Sequence, residues 1–473
     1  MGRGGLARKD SVTAANLAAL GAERLAALLL ELGEGDSAVR KRLVLAVAER
    51  GGAAGLIKAV DRRLDALAES YAEIPWERQK AYAAEIDGLR SVITQSLVPI
   101  DAPAAAERLC RLIRLAPGVL QRVDDSNGRF DDIFRTAVTD LGAVWGLMES
   151  PDAKAIAGEV LALVQNDPYG VCDTLVAEAA PALGPEGLAE LVQRARSALA
   201  ELDEAGPSRS PDGGRYRLLQ ALCDVADASG DVDGYIAVQM SDRGVQIDVN
   251  GIASRLIDAR RAVEALTWLD DGAPGRRPIG DPSPSLEWER DRLRIKALLQ
   301  LGRKPEAQSV RWRLFEQTLS VDVLRAYLRA LPDFEDDAAL DRAFAIAAAH
   351  PDATAALSFL TTWPNLRAAA TLALDRESEL DGRDYHALNA AAEILADAHP
   401  LAATVVRRRM IDSVLERAAS PSYAYAAKNL AACAQLAADI DWTGSQWPSH
   451  ADYVADLIAR HGRKDGFWSK VKP

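Results

Sequence analysis

A chain of 473 residues has material for several cores or for one elongated array; 49% of it is apolar, only 5% is aromatic, and the net charge is −13. That charge argues against a general binder of nucleic acid or anionic membrane, because phosphate contact needs a basic face. It leaves room for a local basic patch and otherwise describes an acidic surface that keeps a protein dispersed.

Ala and Leu dominate the apolar share, and both are good helix formers. The alternating β-branched runs that strands require are nearly absent, so the fold class expected is all-α. No run of 18 apolar residues occurs, and nothing reads as a membrane span. Cys110, Cys172, Cys223 and Cys433 stand far apart with no Cys-x-x-Cys pair. Such scattered thiols fit a reducing cytoplasm and positions inside helix cores. The opening MGRGGLARKD lacks the apolar segment of a signal peptide, and Leu6 stands where a myristoylation signal carries Ser or Thr. The expected location is cytoplasmic.

In chain order, residues 1–12 read as a disordered tail and 13–202 as an N-terminal helical domain. GAERLAALLLELGEGD sets Leu25, Leu28, Leu29 and Leu32 on one helical face and stops at Gly33 and Gly35. Asp36 or Ser37 fits as the cap of the next helix, SAVRKRLVLAVAER. Leu56, Val60, Leu64 and Leu67 form another stripe, and Pro75 in EIPWERQKAYAAEIDGLRSVI suits a helix start. Helical patterns then follow one another to YGVCDTLVAEAAPAL and GPEGLAELVQRARSAL, two separate helices. Short connections imply antiparallel neighbours. The Gly-, Pro- and Ser-rich stretch 203–215 reads as the boundary between halves, and the four prolines of 270–285 bar any helix there. Residues 216–473 form a helical-repeat domain with a capping tail.

Repetition is clearest in this second half. LIDARRAVEALTWL from Leu256 and LLQLGRKPEAQSVRW from Leu298 match at a spacing of 42, and AHPDATAALSFL from Ala349 matches AHPLAATVV from Ala398 at 49. A variable period of this size suits a two-helix unit with loops of unequal length. Each such hairpin has an apolar face that only a stacked neighbour can bury. The expected architecture is an α-solenoid of antiparallel helical hairpins.

The corners ARRAVEA and GRKPEA resemble the helix-to-helix corner of tetratricopeptide repeats, where a small residue, here Ala265 or Ala307, allows close approach. That family's spaced Trp, Gly and Tyr are missing, so the likeness is one of shape. A wider likeness rests on GAERLAALLLELGEGD, NDPYGVCDTLVAEAAPALGPEGLAELV and HADYVADLIARHGRKDGFW. These resemble an uncharacterised bacterial family of helical proteins, similar to the region that follows the zinc finger in SWIM-type zinc-finger proteins. Tyr453, Leu457, His461, Arg463, Lys464, Phe467 and Trp468 carry its closing motif. The resemblance implies a helical-repeat architecture and no assigned activity. The finger's Cys-x-Cys and Cys-x-His pairs do not occur, so its role does not carry over.

Candidate chemistry is sparse. Of His350, His386, His399, His450 and His461, no two lie at i, i+4, and only His450 and His461 could meet across the last helix; no metal or cofactor is expected. DDSNGRFDD, Asp124 to Asp132, lacks the alternation of a calcium loop, and Asp131 or Asp132 reads as a helix start. No nucleophile elbow, phosphate-binding Gly-rich loop or His-Glu-x-x-His appears, so no enzyme is expected. Arg407, Arg408 and Arg409 circle one helix and are expected to pair with neighbouring acids.

The tail from Leu457 to Pro473 sets Arg460, Arg463, Lys464, Lys470 and Lys472 around Phe467 and Trp468. Aromatics among cations can stack on bases or anchor a terminal helix over the end of a solenoid. The second use is favoured, because Tyr453, Leu457 and Phe467 continue one apolar pattern. Trp442 and Trp447 in DWTGSQWPS fall outside the core stripes and are candidate partner contacts. The reading is a non-enzymatic interaction or scaffold protein binding a protein partner along its helical surface, with Arg463, Lys464, Phe467, Trp468, Trp442 and Trp447 as candidate interaction residues. Its alternative is a nucleic-acid-associated factor using the basic aromatic tail.

Overall fold

The computed structural model describes residues 12–35, 37–205, 213–241, 247–273 and 283–471. The expected tail at 1–12 apart from its last residue, Asp36, the middle of 203–215 and most of 270–285 lie outside the described residues. Among the described residues every regular element is a helix, so the fold is all-α. The chain divides into two compact units, Met1–Ile247 and Asp248–Pro473.

The first unit runs α1 (Ala14–Ala18), α2 (Ala22–Gly35), α3 (Ser37–Ala48), α4 (Gly52–Ala68), α5 (Trp76–Val92), α6 (Ala102–Arg114), α7 (Ala116–Leu120), α8 (Arg129–Gly146), α9 (Ala153–Gln165), α10 (Leu175–Ala205), α11 (Gly214–Ser229) and α12 (Val232–Ser241). Short acidic side chains start several of them by accepting orphan backbone N–H groups. Asp101 takes Ala104 N at 2.9 Å, and Asp152 takes Lys154 N and Ala155 N. At α8 the capping group is Asp125, whose two carboxylate oxygens accept from Phe130 N and Asp131 N, both at 2.9 Å. Asp131 and Asp132 sit inside the first turn of that helix.

The α4 stripe Leu56, Val60, Leu64 and Leu67 is buried as its spacing predicts. The α2 stripe differs. Leu29 and Leu32 are 41% and 59% exposed, because among the described residues α2 packs chiefly on α3. The segment α10 is two helices that meet at Gly184, whose φ 54° and ψ −173° are non-helical. The two separate patterns of the sequence are thus found as two helices joined at a sharp kink between Pro181 and Pro185. Pro181 removes an N–H inside the first helix, Gly184 takes a positive φ that other residues resist, and Pro185 suits the first turn of the second helix, where its missing N–H costs nothing.

The sequence places its boundary at 203–215, but α11 packs on α9 and α10, and Leu218, Leu222 and Val225 share a core with Leu191 and Ala195. The units divide after Ile247 instead. A loop rich in Gly, Pro and Ser marks an exposed connection; it carries no information about which helices pack across it.

The second unit runs α13 (Val249–Asp258), α14 (Ala262–Asp271), α15 (Pro284–Gln300), α16 (Lys304–Thr318), α17 (Val321–Leu328), α18 (Asp336–Ala349), α19 (Ala353–Thr362), α20 (Leu366–Asp375), α21 (Tyr385–Leu395), α22 (Pro400–Glu416), α23 (Tyr423–Leu436), α24 (His450–His461) and α25 (Asp465–Trp468). Helices here pack on the next in sequence and often on the next but one: α13 on α14 and α15, α18 on α19 and α20, α19 on α20 and α21.

The repeated corners have one geometry. Arg261 N donates to Leu256 O at 2.7 Å after Arg260 at φ 63°, and Arg303 N donates to Leu298 O at 2.9 Å after Gly302 at φ 74°. This is the left-handed helix stop that satisfies the last carbonyls. Each corner is then clamped by an ion pair three residues long, Arg261 to Glu264 at 2.7 Å and Arg303 to Glu306 at 2.5 Å. Ala265 and Ala307 are fully buried where the helices meet. Gln300 links the two corners by donating to Ile257 O at 3.0 Å.

Candidate interaction sites

The C-terminal residues singled out by the sequence converge on the end of the second unit. Phe467, on the short α25, is fully buried among Ile411, Val414, Leu415, Tyr423 and Leu457. Its ring meets Tyr423 edge-on at 6.0 Å and Trp468 at 5.0 Å. Trp468 is half-buried and donates its indole N–H to His461 O at 3.0 Å. Lys464 Nζ donates to Leu415 O at 2.6 Å, a cation placed on the carbonyl end of α22 where the helix dipole favours it. Arg463 is exposed. Arg460 is engaged by Asp412 at 3.1 Å and Asp456 at 2.6 Å. A stacked base needs an open ring face, and Phe467 offers none.

Trp442 and Trp447 lie on the irregular segment between α23 and α24, and both are half-buried. Trp442 donates its N–H to Ala437 O at 3.2 Å and turns its ring toward the Arg408 guanidinium, 5.2 Å from Cζ to ring centroid. His450 and His461 form the first and last residues of α24, which at 1.5 Å per residue sets them about 16 Å apart. Among the described residues no group of three His, Cys, Asp or Glu is placed to hold a metal ion.

Among the described residues the three consecutive arginines donate their hydrogen bonds to amide and carbonyl oxygens rather than to carboxylates. Arg407 and Arg408 are 8% and 4% exposed, because α22 is enclosed by α20, α21 and α23. Arg407 donates to Asn429 Oδ1 at 2.8 Å, and Arg408 to Pro448 O at 2.8 Å. Arg409 reaches the carbonyls of Leu380 at 2.9 Å and Ser378 at 3.2 Å. All four cysteines are buried. Burial pushes the Cys110 and Cys433 thiols up to about 12 and raises Cys172 as well.

The first unit contains a cleft that sequence reading missed. The bend in α10 opens a cavity of about 940 Å³ lined by Ala177, Ala180, Pro181, Pro185 and Leu188, with Asp173, Asp224 and Asp227 also in its wall. The apolar members come from α10, whose small side chains leave room, and two of the acids come from α11. Burial raises the Asp173 carboxyl above the ordinary carboxylate range, against the opposing pull of Arg135. The sequence signal for it is Pro181, Gly184 and Pro185 at the junction of two helical patterns, which marks the break but not the space that opens beside it. A second recess of about 620 Å³ lies beside Trp76, Gln79 and Arg122. There the Arg122 guanidinium is held by Ser70 Oγ, Tyr82 OH and the carbonyls of Ala72 and Gly118.

A family model matches residues 7–470, almost the entire chain. The chain belongs to DUF6880, a family of unknown function. No curated protein and no solved structure matches this DUF6880 chain. For DUF6880, then, the physical features above are the basis on which function is read. Among its described residues no helix is long and apolar enough to cross a membrane.

Proposed function

We propose that this chain is a non-enzymatic interaction protein, a cytoplasmic scaffold that takes a basic, partly apolar segment of a protein partner into the cleft between α10 and α11. The observation that carries this reading is the makeup of the cleft: an apolar lining from α10 beside three carboxylates, on a chain of net charge −13. Apolar side chains entering it leave water at about 25 cal/mol per Å². Lys or Arg beside them complement Asp173, Asp224 and Asp227, which gives selection by charge as well as by shape.

On this reading the helices of each unit form an α-solenoid of antiparallel pairs, supported by helices that pack on the next and the next but one. The matching corners at Arg261 and Arg303 support a tetratricopeptide-like form for the C-terminal half. The likeness to the helical region of bacterial SWIM-type proteins belongs to the same reading, as a repeat surface without its finger. The nucleic-acid alternative gains no support from the tail, where Phe467 is buried and Arg460 is paired with acids.

Selection of random peptides displayed on phage against the full chain tests the proposal. Enriched sequences are expected to carry Lys or Arg beside Leu, Ile, Val or Phe, to bind less tightly as salt rises, and to lose binding to Ala177→Arg. Ala177 is exposed on the cleft wall, so this change adds bulk and positive charge without entering the core. Absence of enrichment, or binding indifferent to Ala177→Arg, would overturn the proposal.

A further inference from the structure

Arg408 poses a separate question, at a different site from the cleft. A guanidinium has two π-faces, and three corners in its plane. At Arg408 the faces have aromatic neighbours: the Tyr453 ring centroid lies 4.4 Å from Cζ and that of Trp442 lies 5.2 Å away. The Nη1 corner is anchored on Pro448 O. The remaining edge, Nε with Nη2, is buried and has no hydrogen-bond partner. That edge is the side-on fork whose two parallel N–H groups match the two oxygens of a carboxylate. The same fork is used in that way by Arg108, which holds Asp61 through Nε at 3.0 Å and Nη2 at 2.9 Å.

Other unpartnered groups neighbour Arg408 or its Pro448 anchor along the chain. Trp447 Nε1 and His450 Nδ1, on either side of the anchoring Pro448, and Thr404 Oγ1, one turn before Arg408 on α22, are all buried without a hydrogen bond. Burial and the charge of Arg408 both depress the His450 imidazole, which is therefore neutral at pH 7. Asp412, one turn further along α22, is committed to Arg460. The charge of Asp412 acts on Arg408 but leaves the Nε–Nη2 edge without a hydrogen bond, and a desolvated guanidinium edge of this kind is costly unless an acceptor completes it.

We propose that Arg408, with the unpartnered indole N–H of Trp447 from the residue next to its Pro448 anchor, is a receptor for a carboxylate group, roofed by the segment that runs from Ile440 to Ser449. That segment is irregular between α23 and α24. It is tied down by the Pro448 carbonyl on Arg408 and by the Trp442 N–H on Ala437 O. The ligand enters as the segment lifts, and the planar carboxylate then takes the Nε–Nη2 fork. The carboxylate comes either from a small free acid or from a Glu or Asp side chain of a partner segment.

Indole N–H resonances of the full chain, labelled with ¹⁵N-tryptophan, read the site directly once Trp447→Phe has assigned the Trp447 signal. The probes are acetate, a capped Gly-Glu-Gly peptide and inorganic phosphate, each at constant ionic strength against chloride. A saturable shift of the Trp442 and Trp447 signals is expected with acetate or with the peptide. Response to acetate assigns a free acid, and response to the peptide alone assigns a partner side chain. Arg408→Lys, which keeps the charge but loses the fork, is expected to weaken binding at least tenfold. Should that variant fail to fold, Trp447→Phe keeps an aromatic ring and carries the test through the Trp442 signal, with binding weakened about threefold. No saturable shift with either carboxylate, equal affinity in the variants, or a response to phosphate alone would overturn the proposal.

Discussion

The repeated corners allow a stability experiment with opposite signs at equivalent positions. Arg260 and Gly302 occupy the same place, 42 residues apart, and both take left-handed φ values, 63° and 74°. A side chain in that conformation costs about 1–2 kcal/mol, while glycine's freedom in the unfolded chain returns about 0.5–1 kcal/mol of that. Replacing Arg260 by Gly should therefore stabilise the second unit by about 0.5–1 kcal/mol, and Gly302→Ala should destabilise it by a similar amount. The Gly302 site has open space around an added Cβ, so its loss reports backbone conformation and not a clash. For a unit of this size the shift is about 2–4 °C in Tm per kcal/mol. Calorimetry and urea melts of both variants and the double variant measure it, and any departure from additivity reports the Gln300 link between the two corners. A neutral or destabilising Arg260→Gly, or a stabilising Gly302→Ala, would refute the equivalence of the two corners.

The end of the second unit should depend on the tail: Phe467→Ala removes a fully buried ring and is expected to cost about 3–5 kcal/mol in urea unfolding. Lys464→Met, which loses only the bond to Leu415 O, should cost about 1 kcal/mol. The buried thiols should resist Ellman's reagent at pH 8 in the native protein and release four equivalents on denaturation, since Cys110 and Cys433 titrate only near 12 when folded. Burial raises the Asp412 carboxyl above its ordinary range, so the native state binds the extra proton. Its contribution to stability accordingly falls as pH rises from the ordinary carboxylate pKa to the raised one. Asp412→Asn should remove that negative slope, as seen in the difference between variant and wild-type urea midpoints across pH.

Helix existence was the most legible feature, because apolar spacing and the stop signals at glycines act within a few residues. The corners at Arg261 and Arg303 were legible for the same reason: the turn, the clamp and the small residue all lie within about one helical turn. Features that depend on distant neighbours were not. The α2 stripe has the spacing of a core face, yet Leu29 and Leu32 remain exposed, because among the described residues α2 packs chiefly on α3 alone. Three adjacent arginines look like a solvated surface, but α22 is enclosed, and two of them end inside among amides, carbonyls and rings. The α10 cleft depends on a bend and on α11 standing beside it, while the sequence records only two prolines and a glycine. Trp442 and Trp447 were singled out as candidate partner contacts; their half-burial, with Trp442 beside Arg408, depends on a turn that no local spacing encodes.

The central claim is that a basic, apolar partner segment lies in the α10–α11 cleft, and site-specific photo-crosslinking in living cells tests it most directly. A benzophenone amino acid at exposed Ala177 should yield a discrete adduct, whose crosslinked peptide carries Lys or Arg beside apolar residues. The same probe at exposed Arg292, far along the chain on α15, should not. Adducts no stronger at Ala177 than at Arg292, or an acidic crosslinked peptide, would contradict it.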